Sequence, residues 1–161
     1  MHASFSVSVE KEQLIFSAAH FITFGENICE RLHGHNYRVS CEVTGALNEH
    51  AYVIDFIALR NALQQVVAQL DHQVLLPTTH PTIQVSKNGR EVQATFEDRR
   101  WIFPVEDCCL LPVDNTTAER LAEYIARQIL PVVEAQTSSL EELVVSVDEN
   151  EGQWGRFRLK K

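Results

Sequence analysis

In Cys29-Glu30-Arg31-Leu32-His33-Gly34-His35, two histidines flank a glycine four residues after a cysteine. An alternating apolar pattern of Tyr37, Val39, Cys41 and Val43 follows at once. On a strand, His33 and His35 project from the same face, and Gly34 between them lets another group approach the backbone closely. His20 ends an earlier extended stretch, across the loop of residues 21–32. If the two strands pair antiparallel, three imidazoles converge from two rigid elements. Three neutral imidazoles suit Zn2+, which favours tetrahedral coordination and leaves a fourth position open to water or substrate. The plainer reading is three unrelated histidines near a strand end.

Other residues invite chemistry less specifically. Cys29 could close a metal site as a fourth ligand, act as a thiolate base or nucleophile, or be a loop cysteine without a role. Asp71 and His72 follow an apolar helical stripe; an adjacent carboxylate orients an imidazole and raises its pKa, which makes an acid–base relay, but a polar helix end reads the same way. Glu149 stands near the end of a predicted strand in Val147-Asp148-Glu149-Asn150. A carboxylate there could take two hydrogen bonds from the amidine-like edge of a guanine or pterin ring, or simply be solvated.

The elements that must position these residues are legible in outline. The chain of 161 residues fits one domain with a sizeable core. Residues 4–20 read as strand with a possible bend at Glu10–Gln13, and residues 33–45 as a second strand. A helix is predicted from Phe56 to Leu70 with Asp55 as N-cap. A second begins near Thr116, whose spacing to Glu119 fits a capping box, and Pro131 should bend or end it. Strands are expected around Leu143–Asp148 and Trp154–Leu159. Between the helices, residues 77–112 form a long insertion, where Asn88-Gly89 marks a two-residue hairpin and Arg99–Val105 could add a strand. The predicted fold is α+β: a four-stranded antiparallel sheet with two helices on one face, plus an inserted β-hairpin.

Composition narrows the function. A net charge of -8 disfavours a nucleic-acid partner. No apolar run is long enough for a membrane span, and the N-terminus lacks a signal-peptide pattern. Reduced thiols in a cytoplasmic setting are then the expectation for the four cysteines; the neighbouring Cys108 and Cys109 read as buried or idle thiols.

Phe16-Ser17-Ala18-Ala19-His20-Phe21, the Cys29–Tyr37 stretch, Val53-Ile54-Asp55-Phe56, Leu70-Asp71-His72, Asn115–Ala122 and Val147–Asn150 occur in this order. Together they resemble the 6-pyruvoyltetrahydropterin synthase / 6-carboxytetrahydropterin synthase family, over most of the chain outside residues 77–112. The resemblance implies a tunnelling fold assembled as a hexamer from two trimers. It implies Zn2+ on His20, His33 and His35, and 7,8-dihydroneopterin triphosphate as substrate. Cys29 would be the proton-abstracting thiolate, Asp71 and His72 a relay at a subunit interface, Glu149 the anchor of the pterin ring, and Thr117 part of that pocket's lining. The chain departs from the family pattern at Thr116, where proline is usual, at Asn150, where threonine is usual, and in the long insertion.

The spacing from Cys29 to His33 resembles the branch that forms 6-carboxy-5,6,7,8-tetrahydropterin on the way to queuosine and other 7-deazaguanine products. Glu30, three residues before His33, resembles instead the branch that makes 6-hydroxymethyl-7,8-dihydropterin for folate. The adjacent Cys-Glu pair resembles a subgroup with both activities. Pyruvoyl formation by triphosphate elimination stands between them. A catalytically silent zinc- and pterin-binding module is the reading from another class.

Overall fold

The computed structural model describes residues 4–137 and 139–161. The chain runs β1 (Phe5–His20), β2 (Thr23–Phe24), β3 (Ile28–Cys29), β4 (His33–Gly45), α1 (Phe56–Leu70), β5 (Gln73–Pro77), β6 (Gln84–Asn88), β7 (Glu91–Phe96), β8 (Arg99–Pro104), β9 (Cys108–Leu111), α2 (Ala118–Gln136), β10 (Leu140–Asn150) and β11 (Gln153–Lys160). Both helices pack on one face of the sheet through the apolar stripes Leu59, Leu63, Val66 and Leu70, and Leu121, Ile125, Ile129 and Val133.

The α+β prediction holds, and the antiparallel ribbon β11-β10-β4-β1 is its predicted centre. The sheet is nevertheless six-stranded, because β5 and β9 extend it beyond β1 in parallel. Their short apolar runs, Val74–Leu76 and Cys108–Leu111, do not alternate, so a period-two reading passes over them. The insertion is a three-stranded meander, β6-β7-β8, rather than a hairpin alone. Its first turn is Gly89-Arg90, one position later than Asn88-Gly89, with Gly89 at a φ of +59°. This meander packs over a small second core of Phe21, Leu76, Ile83, Val92, Ala94 and Phe96.

Helix α1 has the expected bounds, and the Asp55 carboxylate accepts the Ile57 N–H at 2.6 Å. The start of α2 differs. Thr117, not Thr116, is the N-cap, accepting from the Arg120 N–H, so no capping box with Glu119 forms. Thr116 is buried instead and donates its hydroxyl to the Phe21 carbonyl. Pro131 does not end the helix either. It lies on the solvent face, where water can satisfy the carbonyl it frees, while Ile129 and Val133 keep the last turns on the sheet.

In β1, the register shifts from Glu10↔Ser40 to Ile15↔Arg38, so five steps on one strand oppose two on the other. The odd surplus reverses which side of β1 faces in. Val9 is buried before it, and Leu14, Phe16, Ala18 and His20 after it. The bulge thereby turns His20 onto the face that His33 and His35 share with Tyr37 and Val39 on β4.

Two contacts in this frame are testable. A Cβ on Gly155 of β11 would lie 2.5 Å from the Glu119 nitrogen at the start of α2. Gly155→Ala is expected to cost about 1–3 kcal/mol of unfolding free energy, read from the urea midpoint. His80, at the head of the insertion, is buried and neutral: Nδ1 accepts from the N–H groups of Ile83 (2.8 Å) and Thr82 (3.0 Å), and Nε2 meets Thr23 Oγ1 at 2.7 Å. Burial lowers its pKa, opposed by Asp114. The unfolded chain therefore binds more protons between that lowered value and about 6.5. Stability is full above this window and falls as pH drops through it. His80→Gln should flatten the acid side of the melting-temperature profile.

Candidate metal centre

His20 and His33 are direct partners across the β1–β4 ladder, and His35 lies opposite Ala18. One ring nitrogen from each of the three lies within 4.8 Å of the others. Two of the rings are already keyed for metal. His20 Nδ1 lies 2.9 Å from the Thr116 carbonyl and His33 Nδ1 lies 2.8 Å from the Arg31 carbonyl. A carbonyl can only accept, so each Nδ1 carries the proton and each Nε2 presents a lone pair. Burial lowers the His35 pKa, opposed by the Glu149 and Glu30 charges and reinforced by the other two imidazoles, which favours the neutral form that a metal ligand needs.

Among the described residues, His20 Nε2 is buried with no hydrogen-bond partner. Glu149 Oε1 lies 3.1 Å away. Two acceptors facing each other at that distance repel unless a cation lies between or beside them, so the donor set fits a divalent ion. Glu149 reaches this place because β10 carries one extra residue between Asp148 and Asn150 opposite β11, a bulge that re-aims its side chain. Asp148 instead is buried and accepts the N–H groups of Gly152 and Gln153, closing the hairpin. Tyr37 forms the floor, stacked on Phe16, its hydroxyl buried without a partner.

The remaining predicted residues surround this centre unequally. Glu30 Oε2 lies 3.9 Å from His33 Nε2 and accepts the Ile22 N–H at 3.4 Å. The half-buried Cys29 packs against the second core, with Sγ 3.6 Å from the Glu30 carbonyl. Burial raises its thiol pKa and the Arg99 charge opposes this. Asp71 caps α1; one carboxylate oxygen accepts the Ser17 N–H at 2.8 Å and the other meets His72 Nδ1 at 2.9 Å. Chiefly through the Ser17 bond, its pKa is lowered. His72 takes a left-handed φ of 58°, which presents its ring to solvent at the lip of a groove of about 610 Å³ that also reaches His35. Thr117 serves α2 as its cap. The backbone carbonyls of Thr116 and Arg31, which orient two of the rings, carry no side-chain signal and are invisible in sequence.

The sequence profile described as 6-pyruvoyl tetrahydropterin synthase matches residues 8–160. This chain belongs to the 6-pyruvoyl tetrahydropterin synthase family. A Methanocaldococcus jannaschii protein, provisionally named 6-carboxy-5,6,7,8-tetrahydropterin synthase, is 33% identical over 147 residues, covering 90% of both chains. The Haemophilus influenzae 6-carboxy-5,6,7,8-tetrahydropterin synthase is 31% identical over 127 residues, 73% of this chain and 79% of that one. Among solved structures, a Plasmodium vivax 6-pyruvoyltetrahydropterin synthase with a catalytic glutamate replaced by alanine superposes with a TM-score of 0.91. It is 29% identical and covers 99% of this chain and 100% of that one. The tunnelling fold is therefore that of the family, and the family is one of pterin-forming enzymes. Among the described residues no helix is long and apolar enough to cross a membrane.

A metal ion held by the three imidazoles would have a direct consequence for stability. An ion present at about 100 times its dissociation constant adds about 2.7 kcal/mol to unfolding, and a chelator should remove that increment. His33→Ala should lower bound metal and melting temperature together, followed by elemental analysis and thermal unfolding.

Proposed function

We propose that the protein converts 7,8-dihydroneopterin triphosphate to 6-carboxy-5,6,7,8-tetrahydropterin, with zinc held by His20, His33 and His35. The observation that carries the reading is the unpartnered His20 Nε2 aimed among three convergent imidazoles, in a chain whose relatives bear that enzyme's name. Zinc supplies Lewis acidity toward the hydroxyls of the substrate side chain, making the neighbouring C–H and O–H bonds easier to break.

The chain's own groups do the rest. Glu149 accepts the amidine-like edge of the pterin, and Thr117 lines that pocket. Cys29, as thiolate, takes a proton from the substrate side chain. His72, oriented by Asp71, handles a second proton from the groove side. Its exposure in a single chain accords with a site completed between subunits of a homohexamer built from two trimers. The setting is cytoplasmic, and the product feeds 7-deazaguanine synthesis such as that of queuosine.

A specific observation favours a second reading. Glu30, not Cys29, directs its charged group toward His33, and the matching Plasmodium vivax enzyme has a catalytic glutamate. With Glu30 as the proton-abstracting group, the product becomes 6-pyruvoyltetrahydropterin or, along the folate branch, 6-hydroxymethyl-7,8-dihydropterin.

Mass spectrometry of products from zinc-loaded protein and 7,8-dihydroneopterin triphosphate separates these readings. Carboxypterin with acetaldehyde supports the first, a glycolaldehyde phosphate points to the folate branch, and bound pterin without turnover leaves a silent binding module. Cys29→Ala should keep its zinc and lose the reaction; loss of zinc would make Cys29 a ligand. The pH profile adds a sign. Because the Cys29 pKa is raised, a thiolate base gives a rate that climbs with pH above neutral, whereas a carboxylate base gives one already flat there.

A further inference from the structure

The inserted meander β6-β7-β8 reaches back to the site. From the first residue of β8, Arg99 donates Nη1–H to the Cys29 carbonyl at 2.8 Å and Nη2–H to the Glu30 carbonyl at 3.0 Å. Its guanidinium lies over the Trp101 ring, 4.6 Å from the centroid. Trp101 in turn stacks on Phe21, next in sequence to His20, at 4.5 Å and 19° between planes. Besides Arg99, the segment is held by the Glu30 N–H donating to the Ile22 carbonyl at 3.0 Å, which fixes one edge of the Cys29–Glu30 peptide and leaves the Glu30 carbonyl to Arg99. The β2–β3 ribbon has two residue pairs, Thr23↔Cys29 and Phe24↔Ile28, and residues 30–32 belong to no strand.

A guanidinium is planar and its N–H groups diverge at fixed angles, so one fork bonded to two successive carbonyls sets the orientation of two successive peptide planes. Those planes decide where the Cys29 and Glu30 side chains point. In this setting the thiol lies against the second core and the carboxylate turns toward Ile22 N–H and His33 Nε2.

We propose that Arg99 is a positioning residue for the proton-transfer groups: its fork on the Cys29 and Glu30 carbonyls determines which of the two side chains faces the histidine triad. The insertion is thereby a working part of the site. The Arg99 charge also favours ionisation of Cys29 against its burial. An ammonium could reach one carbonyl but not impose the orientation of both.

The inference rests on the proposed reaction for its kinetic readout only. Arg99→Met keeps an unbranched stem against Trp101 and removes the fork. With 7,8-dihydroneopterin triphosphate it should lose roughly tenfold or more in kcat while KM and zinc content stay near wild type, and Arg99→Lys should fall between the two. Independently of any substrate, Cys29 in Arg99→Met should be alkylated by iodoacetamide several-fold faster in the pH-independent limit fitted from a pH series on the folded protein, which separates access from ionisation, because the segment that packs it is freed. This is followed on the Cys29 peptide by mass spectrometry. Thr82→Ala is the control: it cuts another tie between insertion and loop, the 3.1 Å bond to Asn27, without touching residues 29 and 30. It should leave kcat and alkylation unchanged. Wild-type alkylation in Arg99→Met overturns the proposal, and so does an equal loss in Thr82→Ala. If Arg99→Met does not fold, Arg99→Lys decides on the same readouts. Absence of turnover in the wild type would sink the proposed reaction and leave the alkylation result to judge Arg99.

Discussion

His20 lies opposite His33 on neighbouring antiparallel strands, and the pairing is set far from either residue by the surplus of β1 between Glu10 and Ile15. One residue more or fewer there would turn His20 to the outer face and bury a different set of side chains. The same register places Phe16 opposite Tyr37, whose stacked rings carry the core up to the floor of the site. The centre is thus an extension of the core face, placed where helical cover gives way and polar groups replace apolar ones.

Around that register, His20 and His33 are oriented by different parts of the chain. The carbonyl before the α2 cap holds His20 and the Arg31 carbonyl holds His33. A bulge at the end of β10 brings Glu149 up against His20. Such outer contacts fix the tautomer and direction of a ligand, and a site without them is loose. Gly155 belongs to the same set at one remove, because its missing side chain lets β11 lie against the start of α2 and so fixes where the Thr116 carbonyl stands.

Sequence patterns carried the site further than the fold. His-x-His on a strand, with His20 on its partner, needs only period two to be read, and the structure brings the three rings together. Helix α1 and its Asp55 cap were equally plain. What escaped depends on tertiary context. The parallel strands β5 and β9 show no alternation. Threonines at 116 and 117 compete for one cap, and the loser is drawn into the core by Phe21. Pro131 is tolerated because of the face it lies on. Arg99 contacts residues 70 and 69 positions away through their backbone carbonyls, so no local pattern announces it. Cys108 and Cys109 prove to be strand residues beside Val74 and Leu75, with Cys108 pushed up to about 11 by burial, as inert thiols would be.

The account turns on nitrogen ligation with the neighbouring sulfur left free. X-ray absorption at the zinc edge of the loaded protein tests this most directly. The account predicts a shell of imidazole nitrogens at about 2.0–2.1 Å, completed by a light-atom ligand, with no sulfur. A sulfur scatterer at about 2.3 Å would make Cys29 a ligand. That result, or failure of the folded protein to retain zinc, would contradict the account.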